Sequence, residues 1–294
     1  MIPAPFAYHA PTTVADALRL LGTYGPAARL LAGGHSLLPL MKLRLAAPAH
    51  LIDLGRIPDL REIRREGSAV HIGAMATHWM IESSDLLKTQ IPLLPETAAQ
   101  IGDLQVRNVG TIGGSLAHAD PAADYPAAVL ALEATLTAEG PGGRRSIPAS
   151  EFFTGLYATA LGPDEILLEV AVAPQGAASG AAYVKFPHPA SGFAVVGIAA
   201  VIQLDGQRGV QRVRVGVNGV APVPYRAAGV EERLAGRAAD TAALADAAAA
   251  AADKVDVNAD VFASAEYRAH LARVLTRRAL GAALERAGRS EAAG

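Results

Sequence analysis

Apolar residues fall into short alternating runs and into helix-like clusters along the chain, and this pattern predicts a mixed α and β protein. Residues 1–55 form the first predicted unit. Its expected elements are strands around Tyr8, at 29–32 and at 51–54, a helix that starts at Thr13 and a helix over 37–45. The first helix is predicted to end at Gly22 or Gly25, because glycine commonly terminates a helix.

The rest of the chain divides into two further predicted units, residues 56–176 and 177–294. The second unit is expected to contain a hairpin at 63–72, helices at 79–87, 93–101 and 125–132, a hairpin around 141–143 and a strand at 165–172. The third is expected to contain strands at 182–186, 194–204 and 210–217 and helices at 242–252 and 267–284. The predicted fold class is α+β, with two α/β subdomains followed by an antiparallel sheet and a helical bundle.

Composition narrows the class of protein. Of 294 residues, 51% are hydrophobic and 18% are charged, which is typical of a folded globular chain. The 26 basic and 28 acidic residues nearly cancel, so the charge balance gives no reason to expect nucleic acid or an anionic membrane as a partner. The uncharged stretch 186–204 contains prolines and glycines, and the first residues lack a basic leader. We therefore expect no transmembrane segment, no signal peptide and a cytoplasmic location.

The chain contains no cysteine. Disulfides, thiolate zinc sites, cysteine nucleophiles and iron–sulfur ligation by cysteines of this chain are therefore excluded. An iron–sulfur cluster that takes part in the function must be held by another chain.

Two segments combine paired glycines with a following serine. The first is Ala32-Gly33-Gly34-His35-Ser36 and the second is Thr111-Ile112-Gly113-Gly114-Ser115. Glycine lets a ligand approach the backbone, and successive N–H groups of a tight turn can converge on an anion. One double glycine is usually an ordinary turn, whereas two in different units are equally compatible with two loops that hold one diphosphate. Neither segment fits the three-glycine dinucleotide pattern or the phosphate loop that ends in Gly-Lys-Ser/Thr.

The wider sequence around these segments resembles a known family. With Leu37-Leu38-Pro39 after the first segment and Asp120-Pro121-Ala122-Ala123-Asp124 after the second, the chain resembles the FAD-binding medium subunit of molybdenum hydroxylases, the xanthine dehydrogenase and carbon monoxide dehydrogenase family. The resemblance covers nearly the whole chain. It implies a PCMH-type FAD-binding fold, in which FAD lies between the first two units with its diphosphate near the glycine segments.

The resemblance also implies which residues bind FAD, and it assigns no catalytic or metal-binding residue. The matching positions are Ala32, Gly33, Gly34, His35, Ser36, Ile101, Thr111, Gly113, Gly114, Ser115, Asp124, Leu167, Lys185 and Phe193. Asp124 matches an acidic contact to the flavin nucleotide, and Ile101 and Leu167 match apolar positions near the cofactor. The Lys185 ammonium would stabilise the anionic edge of a reduced flavin, so Lys185→Met is expected to lower the reduction potential and leave the fold intact. Phe193 would stack on the isoalloxazine, which contributes about 0.5–1.5 kcal/mol beyond burial.

Other interpretations stay open for several of these residues. His118, Asp120 and Asp124 could form a metal cluster, and Asp124 could instead cap the helix that follows it. Lys185 could be a surface lysine at a strand end. Ordinary structural roles are also open for the core-type residues Ile101 and Leu167 and for the alternating arginines Arg212 and Arg214, which suggest a solvated strand face.

The function implied by the resemblance is electron transfer between chains. Electrons would come from the 2Fe-2S clusters of a small iron–sulfur subunit and leave for NAD, a quinone or oxygen. A large molybdopterin subunit would hydroxylate the substrate. The three chains would form a heterotrimer, and two heterotrimers a dimer. Segment 186–192 lacks the basic stretch ending in Gly-Asp that is usual in carbon monoxide dehydrogenases, which argues against carbon monoxide as the substrate. The alternatives are a self-contained flavin oxidase or reductase and a structural subunit without flavin.

Overall fold

The computed structural model describes residues 2–292. The first unit is a parallel sheet with two helices: strands β1 (Ala7–His9), β2 (Ala28–Leu31) and β3 (His50–Asp53), in the order β1-β3-β2, and helices α1 (Val14–Tyr24) and α2 (Leu37–Lys42). The Thr13 hydroxyl begins α1 by accepting a hydrogen bond from the Asp16 N–H at 3.1 Å. Gly25, at a φ of 47°, ends it as predicted, and Ala17 and Leu21 are its buried residues.

The second unit is built on an antiparallel sheet. Its strands are β4 (Ile63–Glu66), β5 (Ala69–Gly73), β6 (Thr135–Gly140), β7 (Gly143–Pro148) and β10 (Ile166–Val172), in the order β4-β5-β10-β6-β7. A small hairpin of β8 (Phe153–Gly155) and β9 (Ala158–Thr159) comes between β7 and β10 in the chain. Ile166 and Leu168 of the central strand β10 pack in the core of the first unit, whereas Leu167 packs in the core of the second.

The helices of the second unit depart from the sequence prediction in four places, two of which are short helices at 104–109 and 149–152 without a predicted counterpart. The observed helices are α3 (His78–Ser83), α4 (Asp85–Gln90), α5 (Leu93–Ala99), α6 (Leu104–Val109), α7 (Ile112–His118), α8 (Tyr125–Ala131) and α9 (Ala149–Phe152). The single helix predicted at 79–87 is wrong, because Ser84 is extended and its hydroxyl accepts the Leu87 N–H at 3.3 Å to start α4. The second glycine segment, predicted as a turn, is the first turn of α7, which begins after Thr111.

The third unit is an antiparallel sheet with helices, as predicted. Its elements are β11 (Ser179–Pro187), β12 (Ala194–Leu204), β13 (Val210–Asn218), β14 (Tyr225–Arg226), α10 (Ala228–Leu234), α11 (Thr241–Ala248) and α12 (Ala265–Ala292). Helix α12 packs on one face of β11 and β12, where Gly180 lets the backbone of Ala283 approach. The opposite face packs on the second unit, since Ala181, Tyr183 and Ala199 belong to that unit's hydrophobic core.

The first two units pack directly on one another. The core of the first unit includes Met75, Ile166 and Leu168, which come from the second. The limits predicted between the units stay a prediction. No helix within residues 2–292 has both the length and the apolar character needed to cross a lipid bilayer.

Candidate cofactor-binding site

The two glycine segments lie in contact at the boundary between the first and second units. A Cβ atom on Gly33 would lie 2.7 Å from the Cα of Gly110 and closer still to the carbonyl oxygen of Val109. A Cβ atom on Gly114 would lie 3.3 Å from the Cβ of Ala32. Both segments therefore approach each other through their backbones, and Gly33 has no room for a side chain.

The first segment presents four free donors. The N–H groups of Gly33, Gly34, His35 and Ser36 make no hydrogen bond with any part of the chain that the structure describes. Gly34 has a φ of 72°, a left-handed conformation that non-glycine residues seldom adopt. Successive N–H groups next to a left-handed residue form a concave surface that suits an anion such as a diphosphate.

In the second segment the N–H groups of both glycines and of Ser115 are engaged, so the expectation that these groups converge on an anion is wrong. The Gly113 N–H donates to the Ala74 carbonyl oxygen at 2.8 Å, and the Gly114 N–H donates to Thr111 Oγ1 at 3.1 Å. The Ser115 N–H donates to the Thr111 carbonyl oxygen at 3.0 Å. The physical reason is that Thr111 caps α7. The Ser115 hydroxyl makes no hydrogen bond within residues 2–292 and remains available as a donor.

Asp124 and Lys185 form a buried ion pair. The Nζ atom of Lys185 lies 2.9 Å from Oδ1 of Asp124, and the two side chains are 2% and 5% exposed, lysine first. Lys185 Nζ also donates to the Gln100 carbonyl oxygen at 2.9 Å, and the Tyr183 hydroxyl donates to Asp124 Oδ1 at 2.5 Å. The interpretation of Lys185 as a surface lysine is therefore wrong. Asp124 precedes α8 but makes no side-chain capping hydrogen bond to it.

Burial and charge act in opposite directions on this pair. Burial raises the pKa of Asp124, while the Lys185 ammonium and the Tyr183 hydroxyl oppose that rise. Burial and the neighbouring carboxylate raise the pKa of Tyr183 well above its ordinary value, so its hydroxyl stays protonated and donates. Tyr183 was not among the predicted site residues, although residues two apart in a strand share a face and Tyr183 precedes Lys185 by two. The charge of Lys185 is thus balanced within the chain.

Ile101 and Leu167, the two apolar residues predicted to contact the cofactor, pack in or against the hydrophobic core of the second unit. Ile101 is half-buried against that core, and Leu167 is 5% exposed within it. The carbonyl oxygen of Leu168, the next residue, accepts the Ala74 N–H at 2.8 Å. Ala74 in turn accepts from Gly113, so backbone hydrogen bonds tie this strand to the second glycine segment. Contact of Ile101 and Leu167 with a cofactor stays a prediction.

Phe193 and His35 are the exposed members of the predicted set. Phe193 is 46% exposed, and the N–H of the next residue, Ala194, donates to the Ala122 carbonyl oxygen at 3.1 Å. This bond holds Phe193 beside the loop that leads to Asp124. This exposure leaves part of the ring available for stacking on a planar group. His35 is exposed within the first glycine segment.

A buried histidine beside Gly110, His78, was also not predicted from the sequence. His78 is 5% exposed, its N–H donates to the Gly110 carbonyl oxygen at 2.9 Å, and its ring centroid lies 5.3 Å from that of Tyr125. Burial, together with His35 and Arg107, lowers the pKa of His78 to about 4, so the ring is neutral at pH 7. Its Nδ1 atom and the Tyr125 hydroxyl have no hydrogen-bond partner in the described part of the chain. No local pattern marks this histidine, because its burial depends on a segment distant in sequence.

The interpretation of His118, Asp120 and Asp124 as a metal cluster is wrong. The His118 ring packs on the Tyr157 ring with 5.1 Å between centroids, and Oδ1 of Asp120 accepts the Ala122 N–H at 2.9 Å. Asp124 belongs to the buried ion pair. Among the residues the structure describes, no three histidine, cysteine, aspartate or glutamate side chains are placed to hold a metal ion.

Comparison with known protein families agrees with this geometry. Residues 4–175 match the family described as the FAD binding domain in molybdopterin dehydrogenase, and residues 181–283 match the CO dehydrogenase flavoprotein C-terminal domain. The chain belongs to the FAD-binding medium-subunit family of the molybdenum hydroxylases. FAD as the cofactor, and an oxidoreductase subunit as the class of protein, are thereby confirmed.

Individual members of this family match along nearly their whole length. The carbon monoxide dehydrogenase medium chain of Hydrogenophaga pseudoflava is 45% identical over 286 residues, which cover 97% of this chain and 99% of the relative. The alpha subunit of the 6-hydroxypseudooxynicotine dehydrogenase complex of Paenarthrobacter nicotinovorans is 38% identical, with 98% and 97% covered. A solved structure of the Hydrogenophaga pseudoflava carbon monoxide dehydrogenase, in a form that lacks the Mo-pyranopterin moiety, superposes with a TM-score of 0.94 at 46% identity, covering 97% of this chain and 99% of that one. The predicted medium-subunit fold is therefore confirmed.

Proposed function

We propose that this medium subunit is the FAD-carrying electron-transfer subunit of a molybdenum hydroxylase complex. Electrons reach it from 2Fe-2S clusters of a small iron–sulfur subunit and leave it for an external acceptor such as NAD, a quinone or oxygen. A large molybdopterin subunit hydroxylates the substrate, and two heterotrimers form a dimer. The predicted location is the cytoplasm.

The observation that carries this proposal is the row of four unpaired N–H groups from Gly33 to Ser36, packed against the second glycine segment. These donors and the Ser115 hydroxyl suit the diphosphate of FAD, which carries negative charge and only acceptor oxygens. The exposed ring of Phe193 suits stacking on the isoalloxazine. When bound, FAD supplies a group that accepts and releases electrons.

The buried ion pair gives Lys185 a different role from the one the sequence suggests. Because Asp124 lies 2.9 Å away, Lys185 presents a dipole rather than an uncompensated positive charge. Its hydrogen bond to the Gln100 carbonyl oxygen fixes the backbone beside Ile101. We propose that Lys185 and Asp124 hold the end of α5 against the strand β11, and that this contact would position the residues that bind the cofactor.

The absence of cysteine assigns the iron–sulfur clusters to a partner chain. The test is to purify this chain alone, quantify bound FAD by absorbance, and then follow bleaching of the flavin bands after mixing with a pre-reduced iron–sulfur partner. Bleaching that requires the partner is the expected result. Turnover of a small-molecule substrate by the isolated chain would instead identify a self-contained flavin oxidase or reductase, and a colourless chain would identify a structural subunit.

The substrate of the complex is decided outside this chain. The two relatives described above carry names with different substrates, carbon monoxide and 6-hydroxypseudooxynicotine, although both align over nearly the whole length. The expectation from segment 186–192 that the substrate is not carbon monoxide stays a prediction. Activity of the assembled complex on carbon monoxide would overturn that part of the proposal.

A further inference from the structure

A cavity of about 260 Å³ opens where the sheet of the third unit meets the second unit, and none of the residues predicted to bind FAD lines it. One wall is a row across three strands, since Ser179 of β11 pairs with Gln203 of β12, which pairs with Arg212 of β13. Arg214 faces the same side, because residues two apart in a strand share a face. Glu133, which follows α8, lines the opposite side.

Positive charge exceeds negative charge at this cavity. Arg212 and Arg214 both pair with the carboxylate of Glu133, with Nε of Arg214 2.7 Å from Oε1, and Arg214 also lies 3.9 Å from Oε2 of Glu231. With Arg226, three guanidinium groups therefore share two carboxylates. Arg226 lies 3.3 Å from Oε1 of Glu133, but Glu231 already engages it through two hydrogen bonds of 2.6 and 2.5 Å. Burial and the neighbouring charges of Arg214 and Arg226 lower the pKa of Arg212, which is the result expected where guanidinium groups outnumber carboxylates. Arg212 is exposed, as expected for a solvated strand face, and both arginines are in addition ion-paired beside the cavity.

The cavity is also lined by neutral side-chain donors. The Gln203 amide and the Ser179 hydroxyl belong to its lining, and neither side chain makes a hydrogen bond in the described part of the chain. Both are therefore free to donate to an acceptor that enters the cavity.

We propose that this cavity binds the oxyanion group, phosphate or carboxylate, of a small molecule. The planar guanidinium groups of Arg212 and Arg214 match the oxygens of such a group, and the Gln203 amide and the Ser179 hydroxyl add neutral donors. Because the lining comes from both the second and the third unit, the bound anion bridges the two units and stabilises their packing.

The test uses the full FAD-loaded chain and two probes, inorganic phosphate and succinate, at an ionic strength held constant with sodium chloride. Each probe is titrated while the melting temperature and the flavin absorbance are recorded. The expected result is a saturable rise in melting temperature with unchanged flavin absorbance, for at least one probe. Arg212→Gln is expected to weaken the apparent affinity about tenfold or more, since it removes a charged donor.

A matched control is Arg144→Gln. Arg144 is an exposed arginine on β7 that pairs with Glu139 at 2.7 Å, outside the cavity, so its loss should leave the anion response unchanged. If Arg212→Gln fails to fold, Gln203→Ala is the second test variant, and the Gln203 substitution should also weaken binding of the anion. The proposal is overturned by the lack of a saturable response to both probes, by an equal loss in the Arg144 variant, or by release of flavin as the anion is added.

Discussion

Gly33 and Gly110 belong to different units of the protein, yet a Cβ atom on Gly33 would lie 2.7 Å from the Cα of Gly110. The contact is possible because Gly33 carries only hydrogen at that position. It places the unpaired N–H groups of the first glycine segment against the start of α7. The proposed FAD site therefore depends on close packing of one backbone on another.

Replacing Gly33 with alanine tests this packing. The added methyl group would overlap the Val109–Gly110 backbone, so we expect the two units to separate locally and most of the bound FAD to be lost. FAD content per chain, measured by absorbance after gel filtration, and the melting temperature provide the readouts. Full FAD occupancy in Gly33→Ala would show that this contact does not shape the cofactor site.

The matched control for this substitution is Gly22→Ala. Gly22 lies inside α1, and a Cβ atom there would meet no other atom within 4 Å. Alanine is favoured over glycine inside a helix by about 1 kcal/mol, so the melting temperature should stay the same or rise slightly. FAD content should not change.

The Thr111 side chain is expected to stabilise α7 as its N-cap, in addition to any contact with a ligand. Thr111→Ala leaves the Gly114 N–H without its acceptor, and loss of such a cap lowers the free energy of unfolding by about 1 kcal/mol. Thr111→Ser retains the hydroxyl and should restore most of that loss. Urea unfolding of the three proteins without FAD measures the effect. Equal stability of the alanine and serine variants would contradict a capping role.

The ion pair of Asp124 and Lys185 changes what is expected of Lys185→Met. The earlier expectation that this substitution leaves the fold intact is not supported, because it leaves the buried Asp124 carboxylate without its cation. Removing one partner of a buried pair lowers stability by about 3–5 kcal/mol. The effect on the reduction potential should be measured only in a variant that still folds.

A double-substitution cycle isolates the pair. Lys185→Met, Asp124→Leu and the combined variant are compared by urea unfolding without FAD. We expect the combined loss to be smaller than the sum of the single losses, since neither charge is then left alone. Strictly additive losses would indicate that the two side chains do not interact in the folded protein.

The free energy of unfolding should decrease as the pH is lowered from 6.5 to about 4, because of His78. Its pKa is lowered to about 4 in the folded protein, compared with an ordinary value of 6.5, so the unfolded state binds more protons between these values. The contribution of the neutral ring is fully present above pH 6.5 and is lost as pH falls towards 4. The difference between the folded and unfolded pKa values corresponds to about 3 kcal/mol of unfolding free energy.

Comparison of His78→Asn with His270→Asn tests this assignment. His78→Asn should flatten the dependence of unfolding free energy on pH between 6.5 and 4, even if it lowers stability at neutral pH. His270 is exposed on α12, so its substitution should leave that slope as it is in the parent protein. An identical slope in His78→Asn and the parent would remove His78 as the cause.

The sequence predicted most elements because their signals are local. Thr13 and Gly25 mark the ends of α1 through hydrogen bonds and backbone conformation within a few residues. The predicted helix over 79–87 failed because Ser84 suits both the interior of a polar helix face and the cap of a new helix, and only the packing of Leu87 in the core selects the cap. The second glycine segment was misjudged for a similar reason, since paired glycines occur in turns and at tightly packed helix starts alike.

The sequence by itself determined the family, the cofactor class, the order of the units and the absence of cysteine ligands. The tertiary structure decided which N–H groups remain free, since those of Gly113 and Gly114 are consumed by Ala74 and Thr111 while those of Gly33 and Gly34 are not. It also decided that Lys185 is paired with Asp124, 61 residues earlier in the chain. Local patterns specify backbone conformation, but the partner of a buried donor or charge depends on which distant segment packs against it, and that is settled only when the units come together.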